Sequence, residues 1–508
     1  MRRRTVLRGL GVLGLSAGVG SLPAPALAAG TGWADFDRLV RAEFRREQLV
    51  GAAIAVVRAD GVVHRLVLGD RISPRTHFLV ASTTKSMSSL LAATYVDEGV
   101  IGWDQKAVDA WSGFRAPTPE LTRTLRVRDL LGMATGIDEP PALSALHEGY
   151  PTAEQLLQSV VNLPVVAPPE TRWIYNNTVY AAGGYLPLLA SGVKPADVAA
   201  AYVDAVRTRV FGPAGMAGTR IADDPRGLVA DYTRGYGVDI FGNTATLPYG
   251  PVGSYAPVGG ALSTLDDMAN YVRLQLRAGR SVSGRRVVSA ANLAECWRPH
   301  IPVPTDPVLD PDAASSGYAM GWISERFRDG TRLVWHNGAI DGFTAYVGFL
   351  PERDLGIVVL NAMNPEPTGL FLYLYVLNLI LSTEFGINKG VPPKVSAAAA
   401  GARQALVDKG RTVHGVDPRR VQPWLGYYEG GYLLALDKSR LVLHLQSRRF
   451  ELRWVNSDSY LMADGLLPGS TVILRRDADG TPALVVAGID TVRREVGPDR
   501  ATAERGTA

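Results

Sequence analysis

The chain has 508 residues and one cysteine, Cys296. A disulfide framework within the chain is therefore excluded, although exported proteins commonly carry one. Cys296 sits in Asn292-Leu-Ala-Glu-Cys-Trp297, which reads as a helix and not as a nucleophile's setting. Histidine is also scarce. His64, His77, His147, His300, His336, His414 and His444 do not pair at metal-ligand spacing, so no metal is expected. An excess of charge is missing too. The formal net charge of +4 comes from Arg2, Arg3, Arg4 and Arg8. Beyond them 49 basic residues face 49 acidic ones, which removes the electrostatic basis for nucleic-acid binding. Finally, no apolar run beyond the leader is long enough to cross a bilayer, which takes about 20 residues.

What is present begins with that leader. Met1 to Arg8 is basic, a Gly/Leu/Val run follows, and Ala26-Leu-Ala28 forms an A-x-A cleavage pattern. Arg3-Arg4-Thr5-Val6-Leu7-Arg8 looks like a twin-arginine export signal. A signal peptide over 1–28 and a secreted or cell-envelope protein are expected. That export route carries folded proteins, so the missing disulfide is no contradiction. Gly9 to Gly14 has dinucleotide-loop spacing and Gly14 to Gly18 nucleophile-elbow spacing. Both fall in the leader without a preceding strand and are set aside.

Trp33 to Leu49 has helical periodicity. Ala52–Val57 and Val62–Leu68, separated by Arg58-Ala-Asp-Gly61, read as a β-hairpin. Phe78 to Leu91 contains Ser82-Thr-Thr-Lys85. On a helix, residues three apart share a face, which puts the lysine next to the serine hydroxyl. Met87, Leu90, Leu91 and Tyr95 make this a buried, central helix. Leu130–Gly136 ends a helix and enters a loop with acidic and proline residues, and Gly259–Asp267 reads as a loop into a helix capped by Ser263 or Thr264. Val334–Gly338, Tyr346–Leu350 and Gly356–Leu360 read as successive strands, and Leu370–Leu381 as a helix packed on the sheet. Composition shifts over 391–422, read as a linker with a helical part. From 423 short apolar runs alternate with turn residues, the pattern of a small all-β barrel.

Three motifs stand in order: Ser82-x-x-Lys85, Tyr175-x-Asn177 and His336-Asn337-Gly338. With the stretches around them, the chain from Trp33 to Leu381 resembles the serine β-lactamase and penicillin-binding protein superfamily. It looks nearest to class C β-lactamases, D-alanyl-D-alanine carboxypeptidases and related esterases. The resemblance implies an α+β fold: an antiparallel sheet flanked by helices, plus an α-helical subdomain, over 29–390. The tail, 423–508, resembles the lipocalin-like domains appended to some members.

The resemblance also implies roles. Ser82 would be the nucleophile and Lys85 the base, with Tyr175 shuttling the proton. A phenol of pKa about 10 is a poor base at neutral pH. The reading therefore has Lys85 and the field of His336 favouring the Tyr175 phenolate. Asn177 would bond Lys85 and the substrate amide. His336, Asn337 and Gly338 would border the substrate, and the N–H groups of Ser82 and Ala339 would form the oxyanion hole. No cofactor is implied. Many relatives carry Lys-Thr-Gly or Lys-Ser-Gly where this chain has His-Asn-Gly. The change weighs against carboxylate anchoring and efficient β-lactam hydrolysis. The expected activity is cleavage of a small peptide, amide or ester of D-amino-acid type. The alternatives are an acyltransferase or peptide cyclase with the same acyl-enzyme, and a β-lactam sensor that does not turn over. Oligomeric state is not legible.

Overall fold

The computed structural model describes residues 32–139, 152–305, 312–363, 369–385, 401, 403–445, 448–465, 468–487 and 490–494. The expected signal peptide lies outside them, as does all of 386–400, which includes the start of the expected linker. The chain divides into two compact units. One takes the chain up to Tyr236 and from Thr246 to Arg403; the other takes Gly237–Ala245 and the chain from Gln404.

The first unit is built on one antiparallel sheet. Its strands are β1 (Ala52–Val57), β2 (Val62–Leu68), β3 (Ile301–Pro302), β4 (Ala313–Tyr318), β5 (Ile323–Phe327), β6 (Arg332–Ile340), β7 (Phe343–Leu350) and β8 (Leu355–Asn361). They lie in the order β2-β1-β8-β7-β6-β5-β4-β3. The expected hairpin is β1–β2, and Ala52 pairs with Leu68. β8 inserts beside β1, with Ala52 opposite Asn361, so the first and last strands of the sheet pair inside it. Every residue of β1, β7 and β8 is buried. Strands covered on both faces lose the polar alternation of a half-exposed sheet.

Helices supply that cover. On α1 (Trp33–Arg46), Trp33 stacks on His64 of β2 with ring centroids 4.4 Å apart. Successive side chains of a strand point to opposite faces. On β7, Tyr346 accordingly stacks on Tyr373 at 4.7 Å, while Phe349 meets Trp297 at 5.0 Å on the other side. Tyr373 belongs to a helix over Gly369–Phe385, the apolar segment expected to pack on the sheet. Among the described residues no helix is long and apolar enough to cross a membrane.

The helical layer centres on α2 (Thr84–Asp97), preceded by one 3₁₀ turn, Ala81–Thr83. Every residue from Thr84 to Tyr95 is buried. Beside it runs α3 (Asn177–Ala190), capped by the Asn176 side chain accepting from Val179 N. α4 (Leu265–Leu276) is capped by Thr264, one of the two expected caps, and Asp266 and Asp267 occupy its first turn.

The second unit is an eight-stranded antiparallel meander: β9 (Gly426–Tyr428), β10 (Tyr432–Asp437), β11 (Arg440–Leu445), β12 (Arg448–Asn456), β13 (Ser459–Met462), β14 (Thr471–Arg476), β15 (Pro482–Val486) and β16 (Asp490–Arg493). A bridge between Tyr428 and Arg494 joins its ends and nearly closes the barrel. Tyr428, Leu434, Leu443, Phe450, Leu452, Tyr460, Leu474 and Leu484 are buried in it. Ile240, from the segment Gly237–Ala245, is buried and donates its N–H to the Ala463 carbonyl at 3.0 Å.

Removing buried methyl groups from the central strand should be costly. Leu360 is fully buried on β8, opposite Ala53 and Ala345. Leu360→Ala should lose about 2–5 kcal/mol of unfolding free energy in urea. Val63→Ala, at a position 41% exposed, should change it by less than about 0.5 kcal/mol. Equal losses would contradict the placement of the core.

Candidate active site

Ser82 sits in the 3₁₀ turn that starts α2. Its neighbour Ala81 is buried with φ 48°, in the left-handed region. Such a conformation costs a non-glycine residue on the order of 1 kcal/mol. It is held by neighbours: Thr83 Oγ1 donates to the Val80 carbonyl at 2.8 Å and Thr84 Oγ1 to the Ala81 carbonyl at 2.6 Å. The turn lies against the part of β6 beyond Trp335. There β5 has ended, since its pairing covers only Arg332–Trp335.

One turn on, Lys85 is fully buried. Its Nζ lies 2.9 Å from Ser82 Oγ and 3.2 Å from the Val258 carbonyl oxygen. Burial drives its pKa well below that of an ordinary lysine, and Glu139 opposes this only in part. Tyr175 reaches the same oxygen from the strand-like approach to α3, donating from Oη to Ser82 Oγ at 2.9 Å. Lys85 Nζ also stands 4.8 Å from the centroid of the Tyr175 ring. Burial raises the Tyr175 phenol above its ordinary value; the Ser82 bond counteracts this and Glu139 adds to it. The expected phenolate is therefore corrected: in this setting Tyr175 is a neutral phenol.

His336 does not supply the expected field either. It is buried and neutral, held at about 3 mainly by desolvation and then by the nearby Lys85, against a bond to the Asn337 carbonyl. Its Nδ1 donates to that carbonyl at 2.5 Å, which leaves Nε2 to accept from Tyr318 Oη at 3.2 Å. Tyr318, at the end of β4, had no motif to mark it.

Gly338 is brought to the nucleophile. A Cβ there would lie 2.4 Å from the Val80 carbonyl oxygen and 2.9 Å from Ser82 N, so only glycine lets β6 approach this closely. Strand alternation puts His336 and Gly338 on the face toward Ser82. Asn337 and Ala339, both half-exposed, have their side chains on the opposite face.

Asn177 is fully buried at the start of α3. Its Nδ2 donates to Glu139 Oε2 at 3.3 Å, and its Oδ1 is buried without a partner. Lys85 bonds Ser82 and Val258 instead. Glu139 is buried and accepts four bonds. Asn177 N and Nδ2 donate to Oε2 at 3.1 and 3.3 Å, and Thr178 N and Oγ1 to Oε1 at 2.8 and 2.7 Å. Burial raises its carboxyl above the ordinary range, opposed by the Thr178 hydroxyl, the two backbone N–H groups and Lys85. Sequence reasoning missed Glu139. Its only signal was an acidic pair, Asp138-Glu139, in a loop just after Gly136.

A serine oxygen held between a buried lysine and a half-buried phenol, at a helix start beside an antiparallel sheet, defines a class: serine enzymes of the hydrolase or acyl-transfer type. The comparisons agree. The family described as Beta-lactamase matches residues 36–378, and the chain belongs to that family. It is similar to an unguisins hydrolase of Aspergillus campestris, 24% identical over 458 residues, covering 85% of this chain and 79% of that protein. Penicillin-binding protein 4 of Amycolatopsis lactamdurans is 27% identical, over 59% of this chain and 77% of its own. Among solved structures, the octameric penicillin-binding protein homologue from Pyrococcus abyssi shares the fold. Its TM-score is 0.59 at 19% identity, covering 91% of this chain and all of that one.

A neutral buried His336 makes stability depend on pH. An unfolded histidine protonates near pH 6.5, whereas the folded one resists until about pH 3. Its contribution is complete above about 6.5 and is lost as pH falls toward 3, by up to about 1.4 kcal/mol per pH unit. Urea unfolding at pH 7, 6, 5 and 4 should give a flatter dependence for His336→Asn than for the wild type. Parallel curves would contradict the neutral histidine.

Proposed function

We propose that this is an exported serine hydrolase that cleaves peptide, amide or ester bonds in D-amino-acid-type substrates through an acyl-enzyme on Ser82. One observation carries the reading: Ser82 Oγ lies 2.9 Å from both Lys85 Nζ and Tyr175 Oη. Export rests on the basic, apolar and A-x-A pattern of residues 1–28. The unguisins hydrolase is, by its name, a hydrolase, and penicillin-binding protein 4, by its name, binds penicillin; both support the reading.

The proton path follows from the partners. A neutral amine has one lone pair and two N–H bonds. Lys85 can donate to the Val258 carbonyl while accepting the Ser82 hydroxyl proton. As Oγ attacks the acyl carbonyl, that proton passes to Lys85. Tyr175, still a phenol, donates toward the same oxygen and is placed to protonate the leaving group, being resupplied from the Lys85 ammonium. Water then attacks the acyl-enzyme, and the path runs in reverse. With a neutral histidine on β6, the strand offers no permanent cation for a substrate carboxylate. This favours amides and esters over β-lactams.

The test uses the mature chain with a fluorophosphonate, D-alanyl peptides, p-nitrophenyl esters and nitrocefin, with and without an added amine. Intact mass and turnover are recorded. Ser82 should be labelled, peptides or esters should turn over faster than nitrocefin, and Ser82→Ala should abolish labelling. An unlabelled Ser82 would remove the reading. A stable adduct without turnover would replace it with a sensor, and products that take up the amine in preference to water with a transferase.

A further inference from the structure

Two observations around α3 belong together. Glu139 is a buried carboxylate whose four bonds all come from Asn177 and Thr178. Asn177, a fully buried residue two positions after Tyr175, has an Oδ1 without a partner. A carboxamide is nearly symmetric in shape but not in chemistry: one end donates and the other accepts. Which way it points is set by its partners. Glu139 presents a carboxylate oxygen, so only the Nδ2 end can face it; the reversed amide would set oxygen against oxygen. The Oδ1 end is thereby committed to the opposite direction.

We propose, resting on the acyl-enzyme reading above, that Glu139 is a positioning residue that fixes the Asn177 carboxamide so that its Oδ1 is held as an acceptor for the reaction. Two groups of the acylation step can use such an acceptor. One is the third N–H that Lys85 gains when it takes the Ser82 proton. The other is the N–H of the acyl donor. In either case a buried acceptor left open in the resting enzyme and filled during reaction favours the transition state over the ground state. Glu139 itself touches neither Ser82 nor a substrate; it acts through Asn177.

Loop and helix hold the carboxylate in place. Asn176 Nδ2 donates to the Ile137 carbonyl at 3.1 Å, and Asp138 N to the Pro164 carbonyl at 2.8 Å. Glu139 N is bonded by Asp138 Oδ1 at 2.9 Å. The side chain therefore enters the first turn of α3 from a backbone already tied to that turn.

A double-mutant cycle on Ser82 acylation tests this. Rates of burst release from an N-acyl-D-alanyl p-nitrophenyl ester, and of fluorophosphonate labelling, are measured for wild type, Glu139→Gln, Asn177→Ala and the double variant. Glu139→Gln should slow acylation by about 10- to 100-fold. In the Asn177→Ala background the same change should cost less than about threefold, because the group through which Glu139 acts is gone. Losses that multiply would overturn the proposal and leave Glu139 a structural residue or a distant counter-charge for Lys85. Wild-type rates in Glu139→Gln would overturn it as well. Should Glu139→Gln fail to fold, Asn177→Asp leaves Glu139 intact. It retains an acceptor oxygen but sets carboxylate against carboxylate, and should be at least as slow as Asn177→Ala. A fully active Asn177→Asp would overturn the proposal. Absence of label on wild-type Ser82 would instead remove the acyl-enzyme reading, and this inference with it.

Discussion

The site depends on burying one ammonium-bearing side chain where water cannot solvate it. Lys85 is enclosed by its own helix, by Tyr175 and Tyr180, and by the segment carrying Val258. An isolated buried charge is expensive, and a lysine answers that cost by giving up its proton. The neutral amine then has the lone pair that a serine hydroxyl needs. Everything else in the site serves this burial or uses its result. Tyr180 Oη donates to the Lys85 carbonyl at 2.7 Å, and Gly321, with φ 75°, lets the chain pass so close that a Cβ would lie 2.8 Å from that same oxygen. The aromatic wall raises the Tyr175 phenol by the same desolvation that lowers the Lys85 ammonium, so one environment moves both ends of the proton path toward their neutral forms.

Burial also explains why the histidine at the head of the third motif behaves unlike a lysine there. A lysine on an open strand edge would remain charged. His336 is enclosed between Tyr318 and its own strand, with both ring nitrogens committed and Lys85 nearby. It contributes shape and a fixed hydrogen bond, with no charge. The contrast with Glu139 is instructive. That carboxylate is as buried as the histidine, yet four donors surround it, and it organises the start of α3.

Much of this was legible in the residues. The hairpin of β1 and β2, the buried helix after Ser82, the three strands β6 to β8 and six of the barrel strands follow from apolar periodicity bounded by turn residues, a local signal. Ser82 and Lys85 could be paired because helical spacing alone brings them together. Tyr175 and Gly338 could not be placed by spacing; only the resemblance to a family put them near Ser82. The charge states were misread, because burial is a property of the assembled site: the phenolate expected at Tyr175 and the field expected from His336 both assumed access to water. Glu139 and Tyr318 were missed because each is a single residue without periodicity or motif, made important by what folds over it. The short strands β9 and β16 carry too few apolar residues to stand out. The assignment of Gly237–Ala245 to the second unit rests on long-range contacts that no local pattern announces.

The central claim is that Lys85 is an uncharged amine in the resting enzyme. It is tested most directly by following its ε-carbon by NMR in protein labelled with ¹³C-lysine, with the Lys85 resonance assigned by its loss in Lys85→Met. The account predicts a resonance already in its neutral position at pH 7, which titrates far below the ordinary lysine range near pH 10.4. A resonance that stays in the ammonium position until about pH 10 would contradict it.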